Sequence, residues 1–275
     1  PLTLLLPRMR TLPEATSSDS TPGHHKLFAV GVLILGLTLL QSVAGHAGKW
    51  SWLYVALGIL ASLVIVAIST RWLMPAGYLV ARRGLPAVVA LRGLVAASYF
   101  STEVFIPLAL QNRGVSVTLS GLILGSACVM WFAGSSFQGS TRVNWSRAKF
   151  LSVGFAVLIV ATLMLPLAVL ATDSARSAAI ASAAVWACAA FGVGIIYPTL
   201  GVLLLEQSTS YASDSASLQM SDSLGVIVGT AISGAFLTAA SVHGEPNSSV
   251  FNTIWLLTAT IGGVALLVSA RVKLR

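Results

Sequence analysis

Charge is what this chain has least of. Only 9% of its 275 residues are Asp, Glu, Lys or Arg, against about 25% in ordinary soluble domains. A chain this poor in charge cannot cover a water-facing surface, which excludes a soluble globular protein. Cysteine is nearly missing too. Cys128 and Cys188 both lie in apolar runs, so neither a disulfide framework nor a Cys-rich metal site is available, and small packing residues are expected. No HExxH, GxSxG or P-loop pattern occurs, which removes the common metalloprotease, serine-hydrolase and ATP-driven readings. Short alternating strands, the mark of a membrane barrel, are absent as well.

What is there is hydrophobicity: 56% of the residues are apolar and the mean hydropathy is +0.88. A bilayer core needs about 20 apolar residues in a helix. Eight segments qualify, near 27–45, 50–69, 86–110, 117–136, 150–171, 178–205, 216–241 and 250–270. The expected fold is therefore all-α, a polytopic membrane protein of about eight transmembrane helices. The net charge of +8 is dispersed in short clusters between the apolar runs, a pattern of topology rather than of nucleic-acid binding. Arg8, Arg10, Lys26, Arg71, Arg82, Arg83, Arg142, Arg147, Lys149, Arg271, Lys273 and Arg275 fall on one side, and Lys49, Arg113 and Arg176 on the other. The excess of basic residues on cytoplasmic loops predicts that both ends lie in the cytoplasm.

Between the spans, residues 11–25 read as a polar Pro/Ser/Thr-rich linker. The adjacent His24 and His25 lack the partners a metal site needs, so neither a metal nor a cofactor is expected. The stretch RWLMPAGYLVARRGL, 71–85, is too broken to span and is expected to lie along the cytoplasmic interface. Trp50, Trp52 and Trp72 fit an interfacial aromatic belt. Gly225 and Gly229 form a GxxxG that lets helices approach closely. In FGVGIIYPTLG, Gly192, Gly194, Pro198 and Gly201 loosen the sixth span around Tyr197.

Charges inside spans cost a few kcal/mol each, so those present invite a functional reading. Arg92 and Glu103 are eleven residues apart on one helix, on nearly the same face, yet about 16 Å apart along the axis. That is too far for a mutual ion pair. Arg92 either snorkels to the cytoplasmic interface or faces a cavity. Glu103 is too short to snorkel. A carboxylate there, near Tyr99, Ser101 and Thr102 and one turn before Pro107, suits proton exchange as its access to water changes. Its other reading is a structural hydrogen bond. Asp222, with Gln219 in SLQMSDSLG, either opens a water-exposed helix start or lines the same cavity. Glu206 is expected at the interface, and Trp131 and Trp186 line a pocket or pack against lipid.

The run LRGLVAASYFSTEVFIPLALQNRGVSVTLSGLILGSACVMWFAGSSFQGS resembles the start of the C-terminal half of major facilitator superfamily transporters, most of all actinobacterial relatives of 14-helix drug:proton antiporters. GVGIIYPTLGVLLLEQS and SLQMSDSLGVIVGTAISGAF resemble later helices of that half. The superfamily's basic loop between the second and third helices of a half is matched in QGSTRVNWSRAK by Gly139, Arg147 and Lys149. Val143 and Asn144 stand where its Asp-Arg pair is expected. The resemblance implies that 27–69 is an extra helix pair, 70–85 an interfacial segment and 86–275 the six-helix C-terminal half. It also makes 1–26 the end of a preceding helix and a linker, and the chain a fragment whose N-terminal half is the missing partner. A proton-coupled exporter of small amphiphilic compounds is expected, in a bacterial plasma membrane, with Glu103, Arg92, Tyr99, Trp131, Tyr197, Gln219 and Asp222 around its cavity. A metabolite uniporter or symporter, or a non-transporting eight-helix scaffold, are the alternatives, and a membrane enzyme is not expected.

Overall fold

The computed structural model describes residues 23–241 and 248–272, which form helices joined by short turns and loops, with no strand among them. Most of the proposed 1–26 linker lies outside the described residues. Eight helices are long and apolar enough to cross a membrane. They are α1 (His24–Gly45), α2 (Trp52–Leu73), α3 (Leu85–Glu103) continued by the short α4 (Ile106–Gln111), α5 (Val117–Gly139), α6 (Arg147–Leu165), α7 (Ala175–Gln207), α8 (Tyr211–Ser241) and α9 (Ser248–Ser269). A π-helical turn, Pro166–Leu170, extends α6. Large apolar side chains such as Leu122, Val129, Phe132 and Leu267 are exposed on the outside of the bundle, as suits a lipid-facing surface.

Two limits set by sequence shift. The first residues of 71–85 are the last turn of α2, and a single 3-10 turn, Tyr78–Val80, occupies the middle of the segment. Rather than lying wholly on the surface, that turn is tied inward, with Tyr78 Oη 3.0 Å from Ser221 Oγ of α8. The first apolar run of the third span breaks at Val104–Phe105, because Pro107 has no N–H to give to the Glu103 carbonyl. Cys128 and Cys188 are exposed on the bundle surface and do not pack in the interior. Trp50, Trp52 and Trp72 are exposed near helix ends, as an aromatic belt requires.

Packing follows a repeat. Counting six helices from α3, the chief partners are α3 with α8, α5 with α7, α6 with α7, α3 with α9, α6 with α9, and α3 with α7. Exchanging first with fourth, second with fifth and third with sixth maps this set onto itself. An offset of three helices reverses direction across the bilayer, so these six main contacts are symmetric between three-helix units of opposite direction. The α1–α2 hairpin stands outside this set. It packs on α8 through Leu40, Val43 and Ala44 against Ala231 and Ala235.

Small residues bring the paired helices together. A side chain added at Gly225 would overlap the carbonyl of Gly93, and one at Gly194 the carbonyl of Trp131. Without a hydrophobic effect between helices in lipid, such close approach supplies dispersion contact. Gly225→Ala is therefore expected to destabilise the α3–α8 crossing by about 3 kcal/mol, the upper end of overpacking costs, since backbone cannot yield. Gly234→Ala on the same helix meets nothing within 4 Å and should leave the melting temperature of the purified protein unchanged or higher. Equal melting of the two variants would refute the tight crossing.

Pro198 lies inside α7 and leaves the Gly194 carbonyl without its helical donor. Ser135 of α5 supplies one, its Oγ donating to that carbonyl at 3.0 Å. The freed group is thus satisfied by a neighbouring helix, as backbone inside a bilayer must be. On the far side, Ser98 Oγ donates to the Thr258 carbonyl at 2.8 Å and Thr102 Oγ1 to Thr258 Oγ1 at 2.7 Å, fixing α3 to α9.

Candidate functional site

α3, α5, α7 and α8 share one face of the six-helix unit, and the polar and aromatic residues of the spans gather on it. On α3 the eleven-residue spacing holds: Arg92, Tyr99 and Glu103 share one stripe of the helix. α7 repeats that spacing with Trp186 and Tyr197, and α8 adds Gln219 and Asp222 one turn apart. α5 contributes Trp131.

At one end, Arg92 Nε donates to Asp222 Oδ1 at 2.7 Å, with the two side chains 13% and 20% exposed. Tyr197 Oη donates to the same oxygen at 2.9 Å, and the Arg92 guanidinium carbon lies 3.6 Å from the centre of the Tyr197 ring. Arg92 Nη2 reaches Gln219 Oε1 at 3.5 Å. Arg92 therefore does not snorkel. It is neutralised by a carboxylate 130 residues away and sits over an aromatic face, the arrangement in which a guanidinium tolerates low dielectric best. Asp222 is correspondingly not a free, water-exposed helix start.

At the other end stands Glu103, the last residue of α3, directly before the helix break. Its Oε1 accepts from Tyr99 Oη and from Trp186 Nε1, each at 3.3 Å. Both donors are neutral, and Oε2 has no protein partner among the described residues. The carboxyl group that sequence left without a partner thus has two, but no cation. The two acids of the site are opposed in kind: Asp222 is paired with the Arg92 guanidinium, and Glu103 is held in place by neutral donors with no cation beside it.

Aromatic rings join the two ends. Tyr99 and Trp186 stack at 4.6 Å with planes 17° apart. Trp131 meets Tyr99 edge-on at 5.5 Å and Tyr197 at 4.9 Å, and Phe100 lies 6.3 Å from Trp131. Trp186 is fully buried, so it packs against protein and not against lipid. Sequence reasoning left it undecided; its eleven-residue spacing from Tyr197 was the available signal. Phe100 was missed, being one more Phe in an apolar run.

The loop residues lie apart from this cluster. Gly139 ends α5 with nothing within 4 Å of an added side chain. Arg147 makes a 3.4 Å ion pair with Glu206, both over a third exposed, which contributes little. Lys149 Nζ sits 4.4 Å from the centre of the Trp145 ring. Arg113, outside the spans, bonds the carbonyls of Leu170 and Thr172 and so closes the end of the π-helical turn. No family model matches this chain, and no curated protein matches its sequence.

Proposed function

We propose that the chain forms the C-terminal six helices and the extra helix pair of a proton-coupled secondary transporter of the major facilitator superfamily, exporting small amphiphilic compounds. The observation that carries the reading is Glu103, a carboxylate without a counter-cation at a helix break, on an aromatic face shared by α3, α5, α7 and α8. The three-helix symmetry of the main helix contacts supports it, because carriers of this kind are built from repeated units with the substrate site near the bilayer midplane. So does the hairpin α1–α2 standing outside the six-helix set, where the extra pair of a 14-helix relative belongs.

In this reading the site works by alternating access. Substrate lies against Trp131, Phe100 and Tyr197, whose ring faces favour a cationic or aromatic group. Glu103 takes the proton when substrate is absent and gives it up when substrate arrives, which biases the two access states. The face needs a second six-helix unit opposite it, since Gln219 and the Arg92–Asp222 pair would otherwise meet lipid. That unit is the N-terminal half, and the whole sits in a bacterial plasma membrane with both ends of this chain in the cytoplasm. The chain is a carrier, not an enzyme, takes no cofactor and binds no nucleic acid.

The test is a pH-jump assay on the intact transporter in proteoliposomes loaded with a fluorescent amphiphilic cation. Imposing a proton gradient is expected to drive the dye against its own gradient. Counterflow that ignores pH would favour the uniporter reading, and no movement of any solute would favour a scaffold.

A further inference from the structure

A crevice of about 940 Å³ lies away from this site, on the opposite face of α3 and α8, open toward lipid. α2 and α9 flank it without packing along each other, because α2 leans on α1 and on the Tyr78–Val80 turn. Leu63, Ala67, Leu94, Val228, Ile261 and Leu267 line it. None of these carries a group that could recognise a polar solute, and the volume is at the upper end of small-molecule sites.

Its arginine end is different. There the crevice reaches Tyr78, Val80 and Arg271, and it adjoins a second pocket of about 380 Å³. The two share Thr70, Tyr78, Leu79 and Val80, and the second is lined by Arg71. Arg271 Nη1 donates to the Val80 carbonyl at 2.8 Å, which holds its guanidinium over the mouth of the crevice. Arg71 makes no ion pair among the described residues, and Arg82 and Arg83 follow on the same turn. Exposed Leu79 and Val80 stand between these arginines, and such a mixture of apolar and basic side chains suits a membrane interface.

From this juxtaposition we infer that the crevice is a binding site for one anionic phospholipid of the arginine-rich leaflet, with acyl chain along α2, α8 and α9 and phosphate between Arg71 and Arg271. An apolar slot in continuity with lipid fills with an acyl chain, since an empty one loses dispersion contacts along its walls. The two arginines select among headgroups. Guanidinium groups bind phosphate by paired hydrogen bonds, and basic pockets between helices on the cytoplasmic side favour anionic lipid. The lipid takes the place of direct α2–α9 packing, and so cements the extra helix pair to the six-helix unit. This site is independent of the transport reading.

The experiment is native mass spectrometry of the purified chain after exchange into detergent doped with phosphatidylglycerol or phosphatidylcholine. One phosphatidylglycerol per chain is expected to survive collisional stripping, with phosphatidylcholine retained at least tenfold less. The double variant Arg71→Ala/Arg271→Ala should lose that preference. Ala67→Phe, which fills the slot and leaves both arginines in place, should lose the lipid itself. Arg176→Ala, an exposed arginine at the start of α7, should change nothing. Equal retention of the two lipids by the unmodified chain, or a phosphatidylglycerol preference undiminished in the double variant, overturns the proposal.

Discussion

On the proposed transport reading, Glu103→Gln in the intact protein is expected to abolish gradient-driven transport while leaving substrate exchange in place. Glutamine keeps the size of the side chain and an oxygen that can accept from Tyr99 and Trp186, the two bonds that position the group. What it removes is the proton. If protonation of Glu103 biases the two access states, a permanently neutral residue fixes that bias, and the cycle no longer responds to pH. Accumulation against a gradient should therefore fall to the level of empty vesicles, and the pH profile of exchange should flatten. A purely structural role predicts something else: a loss of stability with pH dependence retained. Tyr99→Phe separates the two further. It deletes one donor, leaves Trp186, and keeps the 4.6 Å ring stack, so coupling should survive with a shifted pH profile. Unchanged pH-dependent transport in Glu103→Gln removes this residue from the mechanism.

The sequence carried the spans well because their signal is additive. Twenty apolar residues outvote any one exception, and the boundaries moved by only a few residues, as at Trp52–Leu73 and Tyr211–Ser241. Seven residues expected around one cavity do gather on one face, since spacing along a helix fixes direction: 92, 99 and 103 must point the same way. Pairings were not legible. Nothing local to Arg92 indicates that its counterion is Asp222, because a charge in a span shows only that it must be compensated somewhere. Trp186 and Phe132 look alike in sequence, each an aromatic in an apolar run. One is fully buried and the other 72% exposed, and only the neighbouring helices decide which. Pro107 signals a disturbance of the helix, but the position of the break after Glu103 was not legible. The apolar walls of the crevice left no mark, since they are the same Leu, Val and Ile that face outward elsewhere, although its arginine end falls in the 71–85 segment expected at the interface.

The Arg92–Asp222 pair should show the asymmetry of buried charge. Asp222→Leu removes the anion and leaves the guanidinium of Arg92 with only the Tyr197 ring and Gln219 for company. Breaking a buried pair costs about 3–5 kcal/mol. The lower figure, about 3 kcal/mol, is expected here because a fifth of the Asp222 side chain is still exposed. Arg92→Met should be similarly harmful, stranding the carboxylate. The double variant Arg92→Met/Asp222→Leu should regain most of the loss, since two apolar side chains of similar bulk owe nothing to desolvation. Melting of the four proteins in detergent gives the cycle directly. Additive losses would mean that the two charges are solvated independently and that the 2.7 Å contact contributes little. With stability restored, transport by the double variant then isolates function. An active double variant makes the pair a clamp between α3 and α8 and nothing more. An inactive but stable one places the charges in the proposed cycle itself.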